Sequence, residues 1–148
     1  LQNDFPFRSI QGNSPNVKSL HGKRCALLGN AAYFLDPVFS SGVTIALHSA
    51  KLAADLLAKQ LEGGAADWDA EFAKPLMIGV NAFRTYVDGW YDFRFQNAIY
   101  APNRSPEISR MISSILAGYA WDTNNPFVEK SEQRLSTLAA LVGDLKVE

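Results

Sequence analysis

The chain has 148 residues, 47% of them apolar and 20% charged, enough to bury the core of one ordinary domain or of a piece of a larger one. Fourteen basic against fifteen acidic residues leave a net charge of −1, which gives no electrostatic footprint for nucleic acid or an anionic membrane surface. A single cysteine excludes an internal disulfide and thiolate-rich zinc or iron–sulfur sites. His21 and His48 show no ligand spacing, so no metal site is expected. No apolar run approaches the roughly 18 residues of a membrane span, and no signal-peptide pattern opens the chain. The expectation is a cytoplasmic protein with neither nucleic-acid nor membrane partners.

In chain order, Asp4–Ile10 is aromatic and interrupted by Pro6, which suits an edge strand. Gln11–Asn16 is a cluster of turn formers and reads as an exposed loop. Arg24–Leu28 is a short apolar run stopped by Gly29, consistent with a buried strand. Cys25 on that run reads as a small core residue rather than a nucleophile.

From Gly42 the period becomes helical. Val43, Ala46, Leu47, Ala50, Ala53, Ala54, Leu57 and Leu61 form one apolar stripe, with Thr44, His48, Lys51, Asp55 and Lys59 opposite. Gly63-Gly64 ends this helix. His48 is expected to meet solvent or a domain neighbour. A second helix is expected after Asp67, whose carboxylate can cap it, with a possible kink at Pro75. Its aromatic seam runs through Trp68, Phe72, Leu76, Gly79, Phe83, Tyr86, Trp90 and Phe93. The seam reads as core packing, with a pocket for a large apolar substrate as the alternative. Gly79 and Gly89 favour close approach by another element.

Ser105-Pro106 marks a further helix start, followed by a stripe of Ile108, Met111, Ile112, Ile115, Leu116 and Tyr119. Asp122–Pro126 is a connector. Val128, Ser131, Leu135, Leu138, Val142 and Leu145 mark a last amphipathic helix. The fold class is mainly α with a short N-terminal β part.

The stretch Leu27–Val43 stands apart: a strand, a tight turn, an irregular loop through Pro37, then a helix whose first turn holds Ser41 and Gly42. A helix start carries free amides and partial positive charge, able to hold an anion or a polarised carbonyl. Gly42 would let a flat ligand approach the backbone, and Asn30 could bond a hydroxyl. The plain alternative is a strand-to-helix connection with a serine cap.

This stretch resembles the second FAD-contacting motif of flavoprotein monooxygenases and flavin-dependent, tryptophan halogenase-like enzymes, written roughly G-D-A-A-x-x-x-D-P-x-x-x-x-G. Gly29, Ala31, Ala32, Asp36, Pro37 and Gly42 match it, and Phe39–Val43 looks like the halogenase-like version. The resemblance is strong from about Arg24 to Leu61 and weaker through Trp90-Tyr91 and Trp121–Phe127.

It implies that FAD is bound near Gly29, with Asn30 on the ribityl chain and Asp36 and Pro37 shaping the loop. Ser41, Gly42 and Val43 would present backbone amides, and in a halogenase Ser41 and Gly42 would hold the halide. No residue is assigned as catalytic. Asn30 replaces the usual Asp, and Phe39 stands where tryptophan-type halogenases carry a Glu, which disfavours that substrate class.

The Gly-x-Gly-x-x-Gly turn of the family's N-terminal βαβ unit is absent. The chain is therefore expected to be the C-terminal piece of an α/β FAD-binding, glutathione-reductase-like flavoprotein. In that arrangement residues 1–42 end the FAD-binding domain and residues 43–148 form a helical C-terminal region. Its partners would be the missing N-terminal FAD-binding region and an aromatic or apolar small-molecule substrate. Alone it would bind FAD weakly or not at all, and would self-associate through the apolar face it exposes. Two other readings stand beside this one: an FAD-dependent reductase or dehydrogenase of an isoprenoid or aromatic substrate, and a non-enzymatic helical interaction module.

Overall fold

The computed structural model describes residues 17–102 and 105–144. The expected strand over 4–10, the loop over 11–16 and Leu145 lie outside the described residues. The β part is a minimal hairpin. Strands β1 (His21–Gly22) and β2 (Cys25–Ala26) pair antiparallel, His21 opposite Ala26 and Gly22 opposite Cys25, around a Lys23-Arg24 turn. The Leu27 amide donates to the Leu20 carbonyl at 2.8 Å, which continues the ladder by one bond. The expected buried strand is thus corrected. Cys25 is exposed, not a core residue, because no third strand covers the hairpin among the described residues.

Helix α1 (Gly42–Leu61) has the expected limits. It ends where Gly63 takes φ +87°, a conformation that glycine adopts without strain, and the Gly64 amide returns to the Lys59 carbonyl at 2.9 Å. Its buried side is not the expected one. Ile45, Ser49, Ala53 and Leu56 face the core, whereas Val43, Leu47 and Leu61 are 71%, 69% and 80% exposed. Leu57, Ala50 and Ala54 complete an exposed apolar stripe. Of the eight positions expected to be buried, only Ala53 is.

Asp67 caps the next helix as expected, its Oδ1 accepting from the Asp69 and Ala70 amides at 3.0 Å each. One wide turn of π-helix, Asp69–Ala73, precedes helix α2 (Lys74–Tyr91). There the Lys74 amide reaches back five residues to Asp69. Pro75, which has no N–H to give, follows directly, so the helical ladder changes from wide to regular turns where it loses that donor.

The aromatic seam of α2 is core. Phe72, Leu76, Phe83 and Tyr86 are fully buried and pack in one cluster with Ile45, Phe95, Ile115 and Leu135. Phe93 is the exception. The chain turns at φ +69° there, so its ring leaves the seam and is exposed. A short helix not anticipated from sequence, α3 (Arg94–Ile99), follows. Its Arg94 pairs with Asp92 and with Glu132 of the last helix.

Ser105 caps helix α4 (Pro106–Leu116), its Oγ accepting from the Ile108 amide at 3.4 Å. Tyr119 does not continue the α4 stripe. Gly118 at φ +107° turns the chain first, leaving Tyr119 exposed. The expected last helix is two, α5 (Pro126–Glu129) and α6 (Ser131–Asp144), parted at Lys130. Buried Asn125 joins them to α4: its Oδ1 caps Phe127 at 3.0 Å and its Nδ2 donates to the Met111 carbonyl at 2.9 Å.

Gly79 and Gly89 do admit close neighbours. A β-carbon on Gly79 would lie 2.2 Å from Cε2 of Trp121, and one on Gly89 would lie 2.5 Å from Cδ2 of Leu135.

Candidate functional site: the turn and loop before the first helix

The site begins at Gly29, which is buried at φ +53°. Its amide donates to Oγ of Ser49 at 3.0 Å, and that hydroxyl donates in turn to the Ala46 carbonyl at 2.9 Å. A β-carbon on Gly29 would sit 3.1 Å from that of Ala46. The residue must therefore be glycine for two reasons, its backbone conformation and its seat on α1. A single 3-10 turn, Gly29–Ala31, follows. It carries Asn30 to the start of α1, where the Asn30 Oδ1 lies 3.3 Å from the point a β-carbon on Gly42 would occupy.

The loop between turn and helix is pinned at both ends. Asp36 caps a 3-10 turn, Pro37–Phe39, its Oδ1 accepting from the Val38 amide at 3.1 Å. The Tyr91 hydroxyl donates to the Asp36 carboxylate, a bond that holds the phenol pKa above its usual value. Phe39 meets Trp90 and Phe95 edge-on, with ring centres 5.7 and 5.5 Å apart, geometry favoured by the aromatic quadrupoles. Ser40 then takes φ +53°, and its amide closes the turn onto the Pro37 carbonyl at 2.9 Å.

Ser41 is only 2% exposed. It makes no side-chain cap bond to the helix, and its Oγ is buried without a hydrogen-bond partner among the described residues. The serine-cap alternative is corrected accordingly. Such an orphan hydroxyl is uncommon in folded proteins and calls for an explanation. Val43 turns its side chain outward, so it has only its backbone to offer the site.

Of the expected site residues, Gly29, Asn30, Ser41 and Gly42 meet at one corner, the N-terminus of α1. Asp36 and Pro37 instead anchor the loop toward the end of α2. Sequence reasoning missed Ser49 and Tyr91. Ser49 carries a readable signal, since it is a polar residue one helical turn from Ile45 on what proves the buried face. Tyr91 carries none, because its partner is fixed only by the loop's path.

The donors and acceptors at this corner fit a flavin. A carboxamide beside Gly42 and the free amides of a twenty-residue helix match the polar edge and side-chain hydroxyls of such a ring system. Among the described residues, no three His, Cys, Asp or Glu side chains gather as a metal site. No helix among them is long and apolar enough to cross a membrane.

His48 lies apart from this corner. Its ring stacks on Trp121, centres 3.8 Å apart and planes 17° from parallel. Partial burial, with Lys51 nearby as the lesser cause, pushes its pKa below the usual value.

No family model matches the chain. It is similar to a solved crystal structure, a flavoprotein/dehydrogenase from Cytophaga hutchinsonii, with 41% identity and a TM-score of 0.89 over 94% of this chain and 34% of that one. It is also similar to the 1H-pyrrole-2-carbonyl-(peptidyl-carrier protein) chlorinase of Pseudomonas fluorescens, 32% identical over 89 residues, which are 60% of this chain and 18% of the chlorinase. The chain thus spans about a third of the first relative's length and under a fifth of the second's. These likenesses bear out the resemblance to flavin-dependent, halogenase-like oxidoreductases and the mainly helical fold class, and they point to a flavin as cofactor.

Proposed function

We propose that this chain is the C-terminal part of an FAD-dependent oxidoreductase of the monooxygenase and halogenase type. Residues 1–42 end its FAD-binding domain and residues 43–148 form its helical C-terminal region. The observation that carries the reading is the likeness to the flavoprotein, 41% identical across 94% of the chain. It is supported by the corner at α1, where the Asn30 carboxamide stands beside Gly42 at the start of a twenty-residue helix.

In this reading the α1 N-terminus faces the electron-rich edge of the flavin, where its partial positive charge stabilises negative charge. Asn30 bonds a ribityl hydroxyl, Gly42 lets the flat ring approach the backbone, Gly29 seats the turn on α1, and the Asp36-Pro37 loop shapes one wall. Bound FAD supplies the two-electron redox chemistry; the chain's own residues orient it and shield it from water. The chlorinase likeness supports a halide held by the backbone amides of Ser41 and Gly42. The substrate is an aromatic or apolar small molecule, and the remaining FAD-binding region covers the apolar stripe of α1.

A second reading, an FAD-dependent reductase or dehydrogenase acting without halide, is favoured by the flavoprotein/dehydrogenase likeness. The test is the visible spectrum of the full-length gene product before and after FAD is added. Yellow flavin bands, lost in the variant Gly42→Glu, are expected; a β-carbon there already approaches Asn30 to 3.3 Å. A product that never takes up FAD would overturn both enzyme readings and leave the helical interaction module. Halide-dependent product formation separates the first reading from the second.

A further inference from the structure

We propose that Ser49 is a positioning residue of the flavin site, acting through Gly29 to hold the Asn30 carboxamide against Gly42. The inference rests on the flavin reading above, but its geometry is that of this chain alone. Ser49 is fully buried on α1, two turns in from the helix start. A buried serine on an apolar helix face can satisfy itself by bonding back to its own helix, and the donation to Ala46 does that. What remains is an acceptor lone pair, and among the described residues the group using it is the Gly29 amide at 3.0 Å.

That amide is a further reason for the bond. It lies under the 3-10 turn in a buried setting, where an unpaired N–H is costly. The bond therefore settles the height of the turn above α1, and the 3.1 Å approach to Ala46 limits it from below. With the turn fixed at Gly29, the next residue has little freedom. Asn30 is placed with Oδ1 beside Gly42, at the start of α1. Removing the Ser49 hydroxyl releases the turn at the Gly29 amide and leaves the Asn30 side chain itself unaltered, so its effect on binding arrives through the placement of Asn30.

The test uses the full-length gene product, titrated with FAD, in the variants Ser49→Ala, Ser49→Thr and Ser49→Cys. A stability control, Ile112→Ala, removes core atoms from α4, outside the site. Ser49→Ala is expected to weaken FAD binding about tenfold or more and to alter the band shape of bound flavin. Ser49→Thr, which keeps the hydroxyl, restores both. Ser49→Cys, a weak acceptor, falls between and serves if the alanine variant does not fold. Ile112→Ala lowers the melting temperature while leaving FAD affinity within twofold.

Wild-type affinity in both Ser49→Ala and Ser49→Cys would overturn the positioning role while leaving the flavin reading intact. So would equal losses of affinity in Ser49→Ala and Ile112→Ala. A wild-type protein that binds no FAD would overturn the flavin reading itself and this inference with it.

Discussion

The seat of Trp121 on Gly79 gives a stability prediction whose sign opposes simple propensity. On an exposed helix, Gly→Ala stabilises by about 1 kcal/mol. At Gly79 the new β-carbon would lie 2.2, 2.4 and 2.6 Å from three ring atoms of Trp121. Those atoms belong to a rigid indole, and it cannot slide freely. Its other face is stacked on His48 at 3.8 Å, and its Nε1 donates to the Leu76 carbonyl at 3.1 Å.

Relief therefore requires moving the ring by roughly an ångström. That gives up the hydrogen bond, about 1 kcal/mol, and introduces strain of about 1–3 kcal/mol. Offset by the propensity gain, Gly79→Ala is expected to destabilise by about 1–3 kcal/mol, seen as a lower midpoint in urea unfolding followed by tryptophan fluorescence. The double variant isolates the cause. In a Trp121→Ala background the clash is gone, and Gly79→Ala should be neutral or stabilising by about 1 kcal/mol. An equal loss in both backgrounds, or a single variant as stable as wild type, would refute the packing argument.

Three other outcomes follow from the same physics. Tyr86→Phe removes a buried hydroxyl that donates to the Phe127 carbonyl at 3.0 Å; denaturant unfolding should show a loss of about 1–2 kcal/mol, since the carbonyl is left unpaired. His48 has a folded-state pKa below its ordinary value, from burial first and Lys51 second. The unfolded chain then binds the proton more readily, so the contribution is present above about pH 6.5 and is lost as pH falls through the folded value. Unfolding measured from pH 8 to pH 5 should therefore show wild type losing stability relative to His48→Phe, and parallel curves would exclude the effect. The stripe of Val43, Leu47, Leu57 and Leu61 is exposed, so the 148-residue chain alone should self-associate, with Leu47→Lys/Leu61→Lys shifting it toward monomer in light scattering. A wild-type chain that stays monomeric at high concentration would count against it.

How much was legible in the sequence depended on whether the signal was local. Helix ends were: Asp67, Ser105 and the Gly63-Gly64 pair act through bonds within a few residues, and each does so here. The α2 seam was legible too, because the helix packs along one broad face. What failed was the neighbour each face would meet. Cys25 was read as core because its run is apolar, but burial needs a covering layer. Phe93 and Tyr119 were carried past their stripes because a single left-handed residue, Phe93 itself or Gly118, redirects the chain without leaving a periodic trace. The corner of Gly29, Asn30, Ser41 and Gly42 was visible as a motif; the unpartnered state of Ser41 was not, since it depends on the helix lacking a cap bond.

Helix α1 shows why an amphipathic reading can choose the wrong face. Its sequence is apolar on more than one side, and the largest side chains fall in the stripe from Val43 to Leu61, so that stripe looks like the core. The folded chain instead buries the narrower row of Ile45, Ser49, Ala53 and Leu56, where small side chains let neighbours come close. Gly29 rests on Ala46 and Ser49 because those side chains are short. On another side Thr44 lies 3.4 Å from the point a β-carbon on Gly118 would take, and His48 covers the Trp121 ring. Each contact is set by fit rather than by apolar area. The larger side chains are left over: Leu57, with Ala50, Ala54, Leu28 and the hairpin, lines an open cleft of about 830 Å³, and Val43, Leu47 and Leu61 lie exposed. The helix is thus wrapped on two sides while its exposed apolar row faces outward. The row left open is where hydrophobic area remains to be gained on contact with a further layer.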